Sequence, residues 1–337
     1  MGTGRARRKG RLTMLAVRLA MAGALALITL TASVLPAPVT AHTKPSTSPP
    51  APVAYGASTA PRTGCDNAPA SGDLNLSAPV GGQVRRVLVH LPAGYTATRA
   101  VPLLLSLHGS GSTAAKQESG TGLDATADVH AFIVAYPQGE RVTGTGYSWN
   151  IPGTPTFIAS GPDDVGFLTG LVTVLRHEFC VDPSRVYASG FSGGARMVSQ
   201  LACTAGARLA AIVAAGGVRA PSPCHSVHPV PVLAFHGTAD PSNPFNGHGQ
   251  PYWTYSVPEA ALRWARYDGC PTQAHTGHPY PQVTVTDYRD CPDGAEVTLY
   301  ALTGKGHRWP LPAGAFNPNE IAWQFLSEQR LPAAVPA

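Results

Sequence analysis

The sequence predicts a doubly wound α/β domain, a mostly parallel sheet with helices on both faces. Three observations predict it. Short apolar runs without polar alternation recur along the chain, as strands buried on both faces require. Between them lie stretches whose apolar residues fall three or four apart, the spacing of an amphipathic helix. The two kinds alternate over residues 63–333, a length that suits one large domain with no internal repeat.

The strand-like runs are VRRVLVHLP (84–92), VPLLLSLHG (101–109), AFIVAYPQG (131–139), RVYASG (185–190), LAAIVAAGG (209–217) and VPVLAFHG (230–237). VTVTDYRD (283–290) and EVTLYALTG (296–304) complete the sheet. Among the helices, DDVGFLTGLVTVLRHEF (163–179) places Val165, Leu168, Leu171, Leu175 and Phe179 on one face, and its acidic start at Asp163 and Asp164 suits a capped first turn. GARMVSQLA (194–202) follows the fourth strand directly, and VPEAALRWARYDG (257–269) and NEIAWQFLSEQ (319–329) have the same helical spacing.

The beginning of the chain has a different character. Arg5, Arg7, Arg8, Lys9, Arg11 and Arg18 precede an uncharged apolar stretch from Leu19 to Leu35, and Val39-Thr40-Ala41 follows. That order predicts an export signal over 1–41, cut after Ala41, with no membrane anchor left after cleavage; an uncleaved anchor is the rival reading. ARRKGRLT fits twin-arginine export poorly. Residues 42–62 are rich in Pro, Ser, Thr and Ala and read as a flexible linker. Removing the six basic residues of the signal from 24 Lys and Arg leaves 18 against 19 Asp and Glu, so the net charge of +5 belongs to the signal and no nucleic-acid partner is expected.

All six cysteines follow the signal, and an even number outside the cytoplasm is read as disulfides. Many connectivities are open. The expected pairs are Cys203 with Cys224 and Cys270 with Cys291, each straddling a helix-like and a strand-like segment, which leaves Cys65 for Cys180. A loop of roughly 20 residues closed in this way is worth about 3 kcal/mol.

Chemistry concentrates in VYASGFSGGARM (186–197). GFSGG fits G-x-S-x-G between a strand and a helix, the sharp turn that lifts a serine oxygen out of a sheet, and this singles out Ser192 as a nucleophile. A serine hydroxyl needs a base, and the base an orienting carboxylate, in the order Ser, Asp, His beyond successive strand ends. Asp240 in HGTAD and His307 in GKGHRWP stand at those places. The oxyanion formed by attack needs N–H donors; Gly193 supplies one, and Ser110 in LHGSGST (107–113) is the expected second. His108 and His236, each before a glycine at a strand end, are expected to shape the site by hydrogen bonds. The pairs in HSVH (225–228) and HTGH (275–278) lack further ligands at zinc spacing, so no metal is expected.

VHLPAGY, LHGSGS, YPQG, DDVGFL, VYASGFSGGARM, HGTADPSNPFNG and GKGHRWP together resemble the polyhydroxybutyrate depolymerase-like and feruloyl esterase-like α/β-hydrolases, over nearly all of 63–330. The resemblance implies a secreted, extracellular serine esterase that needs no cofactor and works through an acyl-enzyme. Ser192 is then the nucleophile, His307 the base, Asp240 its acid and HGS the oxyanion site. It also suggests that Trp149, in YSWN, and Trp309, after the histidine, line an acyl pocket. The substrate implied is an ester, small or oligomeric, of plant cell-wall or polyester origin. An acyltransferase on the same triad, or a binding protein that has lost catalysis, are the alternatives. With no adsorbing module evident, soluble esters are expected to be cleaved faster than crystalline polymer.

Overall fold

The computed structural model describes residues 65, 71–205, 208–226 and 228–331; the expected signal and linker lie outside the described residues. Two strands open the domain, β1 (Gly72–Val80) and β2 (Gln83–Leu91), running antiparallel across Gly81 and Gly82, both at positive φ. That is the two-residue turn whose twist matches a hairpin. There follow β3 (Val101–Leu107), α1 (Ala114–Thr121), α2 (Leu123–His130), β4 (Ile133–Pro137), and a short hairpin of β5 (Arg141–Thr143) and β6 (Gly146–Ser148). The chain continues through α3 (Asp164–Glu178), β7 (Val181–Phe191), α4 (Gly193–Ala205), β8 (Ala211–Ala215), β9 (Val232–Gly237) and α5 (Val257–Tyr267). It finishes with β10 (His275–Tyr280), β11 (Val283–Tyr288), β12 (Val297–Leu302) and α6 (Pro318–Glu328).

One 10-stranded sheet holds all of these except β5 and β6, in the order β1-β2-β4-β3-β7-β8-β9-β12-β11-β10. Its centre, from β4 to β12, is parallel. Both edges are antiparallel. The predicted mostly parallel sheet is therefore the centre, and hairpins close it on either side.

Strand alternation divides the interior into two cores. Leu103, Leu105 and Leu107 of β3 join Leu168 of α3, Met197 of α4 and Trp264 of α5. Leu104 faces the other way, with Leu123 and Ala127 of α2 and Phe325 of α6. Helices thus cover both faces, which is why the central strands carry no polar alternation. Each fully buried leucine or phenylalanine contributes about 1.5–3 kcal/mol relative to exposure.

Three disulfides join Cys65 to Cys180, Cys203 to Cys224 and Cys270 to Cys291. The second fastens α4 to the segment after β8, and the third fastens the end of α5 to the segment before β12. No helix among the described residues is long and apolar enough to cross a membrane.

Candidate active site

Parallel strands bring their carboxyl ends to one edge of the sheet, where ligands of open α/β folds bind. At the end of β7 the chain reverses within a single residue, since β7 stops at Phe191 and α4 begins at Gly193. Ser192 takes up that reversal at φ 53°, a left-handed conformation that costs a residue with a side chain about 1–3 kcal/mol. Its N–H donates to Ala215 O at 2.9 Å and its carbonyl accepts from Arg196 N–H at 3.0 Å, which fixes the turn. Strand and helix cross so closely that a Cβ on Gly190 would overlap the Gly194 backbone, and one on Gly194 would overlap Leu107 O. The glycines around the serine answer that contact.

Two loops from later strands converge on Ser192. His307, beyond β12, sets Nε2 2.8 Å from Ser192 Oγ and Nδ1 2.7 Å from Asp240 Oδ2. Asp240, beyond β9, is only 4% exposed, and its Oδ1 accepts the N–H groups of Ser242 and Asn243 at 2.8 Å each. His236 Nε2 lies 2.8 Å from Asn243 O and 3.4 Å from Asp240 Oδ2. Burial alone would raise the Asp240 pKa, but hydrogen bonds from His236, His307 and the Asn243 amide outweigh it and hold the carboxyl far below the usual carboxylate range. Asp240 stays ionised, and it faces the histidine.

On the opposite side, Ser110 and Gly193 are neighbours: a Cβ on Gly193 would overlap Ser110 Oγ and stand 2.8 Å from Ser110 N. His108 holds this loop in shape. Its Nδ1–H donates to Gly109 O at 2.9 Å, and its Nε2 accepts from Gly139 N–H at 3.0 Å, with Gln138 Nε2 at 3.1 Å. Burial pushes the imidazole down to about 4, so it is neutral and keeps one tautomer at working pH.

Trp149 and Trp309 are both buried. Trp149 is 2% exposed, packs against the His108 ring with centroids 4.9 Å apart, and donates its indole N–H to His108 O at 2.8 Å. Trp309 is buried against α6 and donates to Asn319 Oδ1 at 3.2 Å. Both turn inward because an indole N–H beneath a loop finds a carbonyl or amide acceptor there. A cleft of about 300 Å³ opens beside the histidine loop, but Phe235, Tyr280, Leu302 and Phe316 wall it, and neither tryptophan contributes.

Asp163 and Asp164 stand at the start of α3, as expected, but the two differ in their surroundings. Asp163 is the cap, accepting from Gly166 N–H at 2.9 Å. Asp164 is buried, pairs with Arg85 at 2.6 Å and accepts from Asn150 N–H at 2.6 Å, next to Trp149. Sequence reasoning missed Arg85, Asn243 and Arg196, although the last two stand within the quoted motifs. His275 and His278 lie on the exposed edge strand β10, and no group of three or more potential metal ligands occurs among the described residues.

The Esterase PHB depolymerase family model matches residues 86–243. NocK of Nocardia uniformis subsp. tsuyamanensis, named an esterase, is 33% identical over 254 residues, covering 68% of this chain and 72% of that protein. The chain belongs to the esterase PHB depolymerase family. The chain is also 30% identical over 266 residues to feruloyl esterase B of Piromyces equi, an alignment that covers 74% of the chain but only 46% of that enzyme, so the chain spans less than half of that relative's length. Its fold matches acetyl xylan esterase from Aspergillus awamori with a TM-score of 0.55 at 16% identity, over 76% of this chain and 99% of that one. These relatives are named as esterases.

Proposed function

We propose that the esterase hydrolyses its substrate through an acyl-enzyme on Ser192. The observation that carries this reading is His307 standing between Ser192 Oγ and Asp240 Oδ2 at 2.8 and 2.7 Å. The neutral imidazole donates Nδ1–H to Asp240 and accepts the serine proton at Nε2 as Oγ attacks the ester carbonyl. Ionised Asp240 stabilises the imidazolium that forms. The N–H groups of Gly193 and Ser110 take the developing oxyanion, each worth about 3–4 kcal/mol in the transition state. The tetrahedral adduct collapses, the leaving alcohol takes the proton from Nε2, and water repeats the sequence to release the acid.

Ser192→Ala and His307→Ala are each expected to lower kcat by about 10⁴-fold or more, and the double variant no further than the worse single one, because the pair acts as a unit. Rates on 4-nitrophenyl acetate and methyl ferulate, with circular dichroism as the control for folding, test this. A folded single variant with near-normal turnover overturns the assignment. For location we propose export, with the signal at 1–41 cut after Ala41; the three disulfides support an oxidising compartment. Amino-terminal sequencing of protein from the culture medium should start at His42, and an intact leader on the mature protein sinks that proposal.

A further inference from the structure

Arg196 lies in the first turn of α4, four residues beyond Ser192, and is 7% exposed. Arg85, 5% exposed, shows how this protein otherwise buries a guanidinium. Arg85 has the Asp164 carboxylate at 2.6 Å, the Gln138 carbonyl at 3.1 Å and the Phe167 ring 3.8 Å from its Cζ. Arg196 has no carboxylate at ion-pair distance among the described residues. Nη1 reaches Asn243 Oδ1 and Nη2 reaches Ser110 Oγ, both at 3.4 Å, beyond the usual range of a strong hydrogen bond. The Tyr252 ring centroid lies 4.3 Å from its Cζ.

Arg219 makes the charge imbalance larger. Its fork donates to Gly153 O at 2.8 Å and to Pro152 O at 3.5 Å, again with no carboxylate among the described residues. Burial chiefly lowers the pKa of Arg196; Tyr252 opposes it, and the charge of Arg219 adds to it. A buried cation held by two long contacts to neutral groups and by the face of one tyrosine is costly unless an anion completes it. The position is specific as well. Ser110 belongs to the oxyanion loop, and Asn243 belongs to the loop that caps Asp240, so the guanidinium sits between the two loops that frame the nucleophile.

We propose that Arg196, with Arg219 beside it, receives a carboxylate carried by the substrate within a few bonds of the scissile ester. The enzyme then selects half-esters of dicarboxylic acids, or esters whose alcohol half is a hydroxy acid, over neutral esters. A guanidinium fork suits a carboxylate in two-point contact, and a lysine there supplies charge without that fork. The proposal rests on Ser192 being the nucleophile. An arginine that merely braced Ser110 and Asn243 would, on removal, slow all esters alike; a receptor changes the ratio between charged and neutral ones.

Matched substrates read that ratio. On the acyl side the pair is monomethyl glutarate and methyl 5-amino-5-oxopentanoate; on the alcohol side it is 3-acetoxybutanoate and 3-acetoxybutanamide. Within each pair the ester is the same and a carboxylate is exchanged for a neutral amide. In the wild-type chain, kcat/KM is expected to favour the carboxylate about tenfold or more in at least one pair, and the favoured pair tells which half carries the charge. Arg196→Gln should bring that ratio to about one, and Arg196→Lys should leave an intermediate value. Equal rates within both wild-type pairs, a preference for the amides, or a preference that survives Arg196→Gln overturns the proposal. If Arg196→Gln does not fold, the wild-type ratios and Arg196→Lys decide, and a ratio unchanged by lysine overturns it. Ser192→Ala separates the two readings: turnover of the amide esters that survives it refutes the nucleophile, whereas serine-dependent turnover without charge preference refutes only the carboxylate receptor.

Discussion

Both oxygens of Asp240 are occupied, Oδ1 by the Ser242 and Asn243 amides and Oδ2 by His307, with His236 nearby. In Asp240→Asn the amide oxygen would take the place of Oδ1, and its NH₂ would face His307 Nδ1. The imidazole would then accept at Nδ1 and carry its proton on Nε2, where it cannot take one from serine. We expect kcat to fall by about 10⁴-fold with KM little changed. Steady-state kinetics on a soluble ester check this, and a loss below tenfold would remove Asp240 from the triad. These three residues are legible in the sequence because each lies just past a strand end, in an order the chemistry prescribes. Arg196 and Asn243 are not. Their meaning depends on what stands opposite them, 47 positions apart in the chain for that pair, and no local pattern carries it. The tryptophans are similar: the direction of the Trp149 ring is set by an acceptor, His108 O, that only folding brings near.

Among the elements, those buried on both faces were the readable ones. β3, β4, β8 and β9 are wholly buried, so their composition reports their surroundings. β1 and β10 are absent from the predicted runs. β1 buries only Leu76 and Ala78 fully, and β10, HTGHPY, is exposed along nearly its whole length, so pairing with β2 and β11 defines them. α1 also gives little apolar signal, and its bounds come from Thr113, which caps Lys116 N–H, and from Gly122 at φ 67°. The carboxyl end of α5 yields a prediction. Burial pushes Asp268 up to about 7, against a weaker pull from its bond to Val230 N–H, and its Oδ2 has no partner. Below about pH 3 the group is protonated in folded and unfolded chains alike. As the pH rises toward 7, the unfolded chain releases the proton first, so stability falls and the deficit is complete above pH 7. Asp268→Asn keeps an acceptor for Val230 N–H and cannot ionise. It should add about 1 kcal/mol at pH 8, or roughly 3 °C in Tm, and nothing at pH 3. Melting curves at the two pH values check it; an equal shift at both contradicts the burial argument.

Across the whole molecule, the parallel centre of the sheet joins segments far apart in the chain. β9 pairs with β8 on one side and on the other with β12, whose partners lie 65 positions further on. Non-local pairings of this kind are slow to form, because loop closure is paid before contact is gained. The loop bearing His307 follows β12, and we expect it to take its place only after that strand has docked against β9. Ser192 and Asp240 belong to segments that pair earlier in the chain. On the proposed triad, the order of its residues along the chain is then expected to be an order in time as well, with the serine lacking its base until β12 docks. After dilution from urea with disulfides intact, ester hydrolysis should return with the slowest phase of tryptophan fluorescence, and activity regained ahead of that phase would refute the sequence of events. If the triad proposed above is right, the late docking of one strand would keep catalysis silent until the fold is closed.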